Sequence, residues 1–294
     1  MINQLNNKVK VLIVGLGVIG GGYASALTQQ GYRVKCITKE QRDVEYAISH
    51  GIIAEGTTQV DADMIREAEL IIFALYPTVF LDWLEKYQHL FSPGTLITDV
   101  TGVKSSVVGK AQSILRHDVE FIAAHPMAGR ERRGVENSDK EVFMGANYIV
   151  TPTEKNTEVA IRVCEELGRT LGFGRITRLT VEEHDKMIGF LSQLTHCIAV
   201  TLMTCNKEEG LEKYTGDSFR DLTRIAKINE RMWSELFLMN KDALLQQMDS
   251  FIEEFSLFRD MLKKEDREGM MEKMRESTMR RSLFDKPKEA NNNG

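Results

Sequence analysis

The sequence predicts an α/β protein in which a doubly wound, mainly parallel sheet precedes an all-helical part. Short apolar runs alternate with helical patterns through residues 1–180, and this alternation is typical of the strand–helix units of parallel sheets. A glycine-rich turn follows the first apolar run. From residue 181 onward, glycine is sparse and strand patterns stop. We therefore predict two domains, residues 1–180 around the sheet and residues 181–294 built from helices.

The strands of the sheet are predicted from short apolar runs that end in polar residues or glycines. Residues 9–14 form the first run, a helical pattern covers residues 20–30, and Gly31 is expected to close that helix as a C-terminal cap. Residues 33–38 give the second strand. The order of strands and helices implies helical crossovers and parallel pairing. The later predicted strands are residues 70–75, 95–99, 120–124 and 148–151.

The helical part begins with a capping box and a long apolar helix. Thr180 and Glu183 have the spacing of an N-cap and its reciprocal partner. The run that follows, as far as Cys205, is apolar on nearly all sides, so we predict that it is buried in a domain core or a subunit interface. Residues 265–294 are highly charged, and fraying is expected there. Further helices are predicted over residues 219–225, 231–238 and 241–262.

Composition and charge limit the classes of partner. The chain has 294 residues, of which 42% are hydrophobic and 28% charged, as in an ordinary soluble globular protein. A net charge of −5 gives no global attraction for nucleic acid. Since there is no run of ~18 uncharged apolar residues and no signal-peptide pattern, we expect no membrane span and a cytoplasmic location. The four cysteines form no C-x-x-C pair, which argues against a metal or disulfide site.

Three glycines after the first strand predict a dinucleotide-binding site. Gly15, Gly17 and Gly20 follow a strand and open a helix, as in Rossmann domains. The first glycine permits the tight turn, the second the approach of a pyrophosphate, and the third close packing of helix and strand. Backbone N–H groups at the start of the helix, including those of Val18 and Ile19, are expected to bind the phosphates. A purely structural glycine turn is the alternative.

The end of the second strand bears on the choice of cofactor. NAD-binding domains place an acidic residue here for the ribose hydroxyls, whereas this sequence has Thr38. Lys39 and Arg42 stand nearby and could hold a 2′-phosphate, so we predict NADP as the preferred cofactor, with NAD as the alternative. Glu40 weakens this prediction because its carboxylate could pair with either base. Asp99, at the end of a later strand, is also predicted to contact the cofactor.

Two histidines are candidates for the active site. His125 is followed by Pro-Met-Ala-Gly at the carboxyl edge of the sheet, where ligands of such folds bind. His196 shares one face of the long apolar helix with Ser192, and such a polar stripe either lines a site or is satisfied within the core. For each histidine, a structural role is the alternative.

Two arginines are candidates for binding a substrate carboxylate. Arg220 and Arg224 are four residues apart, which on a continuous helix puts both on one face. Paired guanidinium groups bind carboxylates by bidentate hydrogen bonds. A solvated helix face, with Asp221 as a local partner, is the alternative.

These residues together resemble the prephenate dehydrogenase family of tyrosine biosynthesis, which includes arogenate dehydrogenases. The resemblance extends over residues 8–262 and is most specific in residues 125–129, 192–196 and 219–227. It implies a homodimer that oxidatively decarboxylates prephenate to 4-hydroxyphenylpyruvate, with hydride transfer to a nicotinamide.

The resemblance also implies roles for individual residues. His125 matches the histidine that accepts the proton of the C4 hydroxyl. Arg224 matches an arginine that holds a substrate carboxylate, and His196 a histidine that lines the substrate pocket with Ser192 nearby. The positions near the pocket entrance are matched by Glu131 and Arg220.

The sequence departs from the family at two positions, and other functions stay open. One is Thr38, where the family usually has an acidic residue after the second strand. The family often has a serine after the fifth strand that orients the catalytic histidine; Gly102 stands there, and Thr101 or Ser105 could replace it. Arogenate is an alternative substrate. A β-hydroxyacid dehydrogenase or a pyrroline-carboxylate reductase would have the same domain order, although the hydroxyacid enzymes use a lysine in their helical region. A non-catalytic nucleotide-binding protein would need only the three glycines.

Overall fold

The computed structural model describes residues 2–129 and 134–285, so the candidate Glu131 lies outside the described residues. The chain divides into two compact units, Met1–Leu244 and Leu245–Gly294. The first unit contains the sheet and also the helices that immediately follow Thr180. The predicted domain boundary between residues 180 and 181 falls within this unit and stays a prediction.

An eight-stranded sheet forms the centre of the first unit and confirms the predicted fold class. In chain order the strands are β1 Val11–Val14, β2 Val34–Ile37, β3 Glu55–Thr57, β4 Leu70–Phe73, β5 Leu96–Asp99, β6 Glu120–Pro126, β7 Asn147–Thr151 and β8 Arg175–Arg178. Their order in the sheet is β3-β2-β1-β4-β5-β6-β7-β8, and all neighbours are parallel except β6 and β7.

The two edge strands, β3 and β8, carry no apolar run in the sequence. β3 is three residues long, and β8 reads Arg-Ile-Thr-Arg. An edge strand needs less burial than a central one, because it has a neighbour on one side only. Periodicity therefore gives no signal for either strand.

Six helices cover the two faces of the sheet. The first of them begins directly after the glycine turn and ends where Gly31 adopts φ +82°, which confirms the predicted C-terminal cap. Each face has its own apolar cluster, one including Tyr23 and Leu27 and the other Phe80 and Leu84. The helices are α1 Val18–Gln29, α2 Gln41–Ser49, α3 Ala62–Glu67, α4 Pro77–Tyr87, α5 Val108–Ile114 and α6 Glu158–Thr170.

The helical region of the first unit begins with the predicted capping box. The Thr180 hydroxyl accepts a hydrogen bond from the Glu183 amide, and the Glu183 carboxylate accepts one from the Thr180 amide. The long helix that follows is not uniform, because the segment Gly189–Leu194 has π-helical winding. The helices are α7 Val181–Ile188, α8 Thr195–Cys205, α9 Asp217–Thr223 and α10 Glu230–Met239, with a 3-10 turn at Arg224–Ala226.

The long apolar helix is less buried than its sequence predicts. Within α8, Ala199 is fully buried, whereas Met203 is 49% exposed. Burial in a core of the single chain is therefore wrong for most of α8, because its own chain supplies too few neighbours to cover all of its sides. Among the described residues, the helical stretch Val181–Cys205 is long and apolar enough to span a membrane by length and composition, a weak criterion that core helices of soluble proteins also meet.

The second unit consists largely of α11 Lys241–Lys263 and α12 Arg267–Ser282. The expected fraying of the charged C-terminus is wrong for α12. Asp266 caps this helix by accepting a hydrogen bond from the Gly269 amide, and Glu276 pairs with Arg280 at 2.7 Å. Residues 286–294 lie outside the described part of the chain.

Candidate active site

The candidate site lies at the carboxyl edge of the parallel strands, where the segments after β1, β4, β5 and β6 come together. β1 ends at the glycine turn, and β6 carries His125 as its last residue but one. His125 therefore lies within a strand rather than after it. The predicted cofactor motif and the predicted catalytic histidine belong to the same edge of the sheet.

The glycine turn after β1 needs two of its three glycines for its own backbone and leaves open space at the third. Gly15 adopts φ +99°, and a side chain at Gly20 would place its Cβ 2.0 Å from the Gly15 carbonyl oxygen, so the turn itself needs both glycines. A Cβ at Gly17 would meet no described atom within 4 Å, and no described side chain caps α1 there. Open space beside the N–H groups of a helix start fits a cofactor phosphate.

The residues after β2 lie where selection between NAD and NADP is expected. The Thr38 hydroxyl accepts a hydrogen bond from the Leu16 amide at 3.3 Å and so supports the glycine turn. Lys39 is exposed. The positive charge of Arg42 is partly compensated, because two carboxylates lie close to it. They belong to Asp43 at 3.4 Å and Glu136 at 3.6 Å.

Asp99 supports the site from within the protein. Its fully buried carboxylate lies 2.7 Å from Nζ of Lys104, which is buried as well. The Thr101 hydroxyl and the Ala124 amide donate to the same carboxylate. The predicted contact of Asp99 with the cofactor has no support in this geometry, because its oxygens already have partners in the protein. Nζ of Lys104 also donates to the Ala124 carbonyl at 2.6 Å, which fixes the backbone directly before His125.

His125 is held through one of its two ring nitrogens. Its Nδ1 atom lies 2.8 Å from Nε2 of His184, and Nδ1 of His184 lies 2.7 Å from Oδ1 of Asp185. Both partners are buried on α7. The sequence gives little sign of His184, because a histidine in the run Glu-Glu-His-Asp-Lys near a helix start looks like a surface residue.

Asp185 is anchored to the loop that follows β5. Its Oδ1 accepts a hydrogen bond from the Lys104 amide at 2.9 Å, and its Oδ2 accepts one from the Ser105 amide at 2.7 Å. This loop therefore holds the carboxylate at the far end of the chain of contacts that begins at His125.

Gly102, in the same loop, borders the other ring nitrogen of His125. A Cβ at Gly102 would lie 3.7 Å from Nε2 of His125 and 3.8 Å from Cδ1 of Leu236, which are ordinary contact distances. A small side chain would fit here, and glycine leaves the space to a ligand. Thr101 and Ser105 are the two predicted replacements for the family serine. The Thr101 hydroxyl donates to Asp99 and the Ser105 amide to Asp185, and the hydrogen bond found for the His125 ring among the described residues goes to His184.

Burial and neighbouring charges keep both histidines neutral. Burial lowers the pKa of His125 well below its ordinary value, and His184 and Lys104 lower it further. Burial also lowers the pKa of His184, although its hydrogen bond to Asp185 acts in the opposite direction. Burial opposes ionisation of Asp185, but hydrogen bonds from His184 and Ser105 outweigh burial and lower its pKa. A neutral imidazole at this edge of the sheet can accept a proton.

His196 and Ser192 lie where the long helix changes its winding. Ser192 belongs to the π-helical turn, and its carbonyl oxygen is 2.8 Å from Nδ1 of His196. The His196 ring stacks on Trp233 of α10 with 3.7 Å between ring centroids. Gln193, the residue after Ser192, is buried instead and accepts a hydrogen bond from Asn240 at 2.7 Å. Turns of π-helix are frequent at functional sites, and no periodicity marks this one.

Helix α10 connects the helical region to the sheet edge. The Glu235 carboxylate accepts hydrogen bonds from the amide and the hydroxyl of Thr78, at the start of α4. Trp233 stacks on His196 and lies one helical turn from Leu236. Leu236 in turn borders Gly102. The two predicted histidines are thus linked through α10, a relation that no spacing in the sequence gives.

Arg220 and Arg224 lie on adjoining segments of different helical winding. α9 ends at Thr223, and Arg224 begins the 3-10 turn that follows directly, so their arrangement on one helical face stays a prediction. Arg220 donates to Asp217 at 2.7 Å, within its own helix. The turn that carries Arg224 packs against α8, the helix of His196. Of the two arginines, Arg224 is therefore the better placed for the candidate site.

Known proteins resemble the chain over most of its length. Residues 23–173 match the family described as prephenate dehydrogenase, nucleotide-binding domain, and residues 180–276 match prephenate dehydrogenase, dimerization domain. A prephenate dehydrogenase of Bacillus subtilis is 30% identical over 277 residues, which cover 92% of this chain and 74% of the relative. One of Lactococcus lactis is 33% identical over 250 residues, 82% of this chain and 68% of the relative. The crystal structure of prephenate dehydrogenase from A. aeolicus in complex with hydroxyphenyl propionate and NAD+ has a TM-score of 0.87 at 28% identity, covering 94% of this chain and 98% of that one.

Proposed function

The chain belongs to the prephenate dehydrogenase family, and on that premise we propose that it converts prephenate to 4-hydroxyphenylpyruvate and carbon dioxide. When bound, the nicotinamide cofactor supplies the hydride acceptor for C4 of the substrate. The observation that carries the proposal is the placement of a neutral His125 at the carboxyl edge, with Nε2 3.7 Å from the position that a Cβ of residue 102 would take.

His125 is the proton acceptor in this proposal. As hydride leaves C4, the C4 hydroxyl must lose its proton to become a carbonyl, and Nε2 of the neutral imidazole takes that proton. Loss of carbon dioxide from the ring carbon opposite then restores aromaticity. The resulting phenolate takes the proton back from His125, so the residue ends the cycle neutral.

Arg224 and His196 form the proposed substrate pocket together with Ser192. Prephenate carries two carboxylates, and a guanidinium group is the side chain best suited to bind one of them. Support comes from the packing of the Arg224 turn against α8 and from the stacking of His196 on Trp233, which fixes the imidazole. Contacts of Glu131 and Arg220 near the entrance stay predictions.

For the cofactor, we propose NADP in preference to NAD. Thr38 places no negative charge beside the ribose, and the exposed Lys39 can approach a 2′-phosphate. The carboxylates near Arg42 reduce its contribution, so we expect a preference of ~10-fold or less. Thr38→Asp should reverse the preference, because its carboxylate would repel the 2′-phosphate and accept hydrogen bonds from the free ribose.

We also propose a cytoplasmic homodimer formed through the helical region. Residues 180–276 match a dimerization domain, and apolar side chains on α8–α10 lack cover in the single chain. Burying these side chains between two subunits would remove them from water. Light scattering that shows a monomer at micromolar concentration would contradict the dimer. The side chains are those of Met203, Phe219, Leu222 and Leu238, which are 38–73% exposed.

A rate matrix of two substrates and two cofactors tests the proposal. Prephenate and L-arogenate are each assayed with NAD and with NADP by the absorbance of the reduced cofactor. We expect turnover of prephenate, with one 4-hydroxyphenylpyruvate formed for each cofactor reduced. Turnover of arogenate alone would change the substrate and keep the reaction class. No turnover of either, together with intact cofactor binding, would favour a β-hydroxyacid-type enzyme or a non-catalytic nucleotide-binding protein.

A further inference from the structure

We propose that His184 and Asp185 form a positioning pair that fixes the tautomer of His125 from the Nδ1 side of its ring. Nδ1 of His125 lies 2.8 Å from Nε2 of His184, and Nδ1 of His184 lies 2.7 Å from Oδ1 of Asp185. This inference rests on the proposed function, because it assigns the pair to the proton transfer by His125. It concerns residues that act through His125 and do not themselves contact substrate.

The positions of the protons follow from the carboxylate end of this line. Asp185 is ionised and can only accept, so Nδ1 of His184 donates to it. Nε2 of neutral His184 then carries no proton and accepts a hydrogen bond from Nδ1 of His125. The unprotonated nitrogen of His125 is therefore Nε2, the atom that borders the space at Gly102. This is the tautomer that can take a proton from a substrate hydroxyl.

The carboxylate is held firmly enough to impose this order. The amides of Lys104 and Ser105 donate to its two oxygens at 2.9 and 2.7 Å, and Asn240 donates to the Asp185 carbonyl at 2.9 Å. The loop that anchors Asp185 also contains Gly102. The same loop therefore borders Nε2 of His125 and, through Asp185 and His184, fixes the hydrogen bond at its Nδ1.

Asp185 supplies the negative charge that balances the positive charge formed on His125 during the reaction. Among the described residues, Lys104 and Asp99 are two further buried charges close to His125, and their charged groups lie 2.7 Å apart and largely compensate each other. When Nε2 of His125 takes the substrate proton, the imidazolium keeps its Nδ1 proton directed at His184. The negative charge of Asp185 then stabilises the cation through His184, as an aspartate does behind the histidine of a hydrolase triad.

Two variants of His184 separate positioning from packing. His184→Gln keeps an acceptor oxygen near the position of Nε2, whereas His184→Leu fills similar volume without an acceptor. We expect His184→Leu to lower kcat by ~10²–10⁴-fold while the KM for prephenate changes by less than ~3-fold. His184→Gln should recover kcat to within ~10-fold of the parent protein. Equal losses in both variants, or no loss in His184→Leu, would overturn the proposal.

A measurement on the parent protein is independent of how these variants fold. The chain has six histidines, few enough for their nitrogen resonances to be assigned by single substitutions after labelling with ¹⁵N-histidine. Near neutral pH we expect His125 to be protonated on Nδ1 and unprotonated on Nε2; the reverse tautomer would refute the pair's role. Because no substrate is needed, the expected tautomer together with failure to oxidise prephenate would refute the proposed function and leave the positioning intact.

Discussion

The carboxylate of Glu235 accepts two hydrogen bonds from Thr78, one from its amide at 2.8 Å and one from its hydroxyl at 2.5 Å. Thr78 lies in the first turn of α4, just beyond β4, and Glu235 lies on α10. The contact therefore holds α10 against the sheet edge. Because α10 also carries Trp233 and Leu236, the same contact positions two side chains at the candidate pocket.

Removal of the Glu235 carboxylate should loosen the attachment of α10 to the sheet edge. The contact is exposed to solvent, so water replaces part of what is lost, and we expect Glu235→Ala to lower kcat/KM for prephenate by ~3–10-fold. Glu235→Gln is the matched control, because its amide oxygen can still accept both hydrogen bonds. Steady-state kinetics of the two variants check this prediction. Equal kcat/KM for the alanine and glutamine variants would contradict a role of the Glu235–Thr78 contact in the pocket.

The pH dependence of kcat/KM should reflect the burial of His125. The neutral imidazole is the active form, so the rate falls as the pH drops through its pKa. The free side chain has a pKa of ~6.5, and burial together with His184 and Lys104 lowers the pKa in the folded protein. We therefore expect the acid limb of the kcat/KM profile, which reports the free enzyme, below the value for free imidazole. A limb at or above that value would show that His125 does not control the rate in this way.

The features predicted correctly from the sequence are local ones. The glycine turn, the Gly31 cap and the capping box of α7 each depend on a few neighbouring residues whose backbone needs are specific. The α/β class follows from alternation along the chain. These properties do not depend on distant contacts, so sequence patterns indicate them well.

The features that the sequence does not reveal depend on contacts between distant segments. His184 meets His125 across 59 positions of the chain, and Glu235 meets Thr78 across 157. The burial of Asp99 depends on Lys104 folding beneath the strand ends. Spacing within a helix or strand contains no information on such pairs, and the π-helical turn likewise leaves no periodic signal.

Arg224 and Arg220 make a matched pair for testing substrate binding. A charge-assisted hydrogen bond contributes ~1.5–3 kcal/mol, so Arg224→Ala should raise the KM for prephenate by ~10–150-fold if KM follows binding. Arg220 is engaged with Asp217 and is predicted only at the pocket entrance, so Arg220→Ala should raise KM less than Arg224→Ala does, by ~5-fold or less. An unchanged KM in Arg224→Ala would show that this arginine does not bind the substrate carboxylate.

Gly17 offers a test of the cofactor site that leaves the fold intact. A methyl group there meets no described protein atom within 4 Å, so Gly17→Ala should not lower the melting temperature. It should nevertheless raise the Kd of the nucleotide by ~10-fold or more, because the methyl group would occupy the space of the pyrophosphate. Gly109→Ala on α5 is the control, since that position is also open. Isothermal titration with both variants decides; tight binding by Gly17→Ala would rule out phosphate contact at this turn.

The most direct test of the account is the turnover of prephenate by His125→Asn. An asparagine amide can keep the hydrogen bond to Nε2 of His184 but has no group at the position of Nε2 of His125. We predict that kcat falls by ~10²–10⁴-fold while the Kd of the cofactor stays within ~2-fold. An asparagine variant that keeps most of its kcat would contradict the assignment of His125 as the proton acceptor.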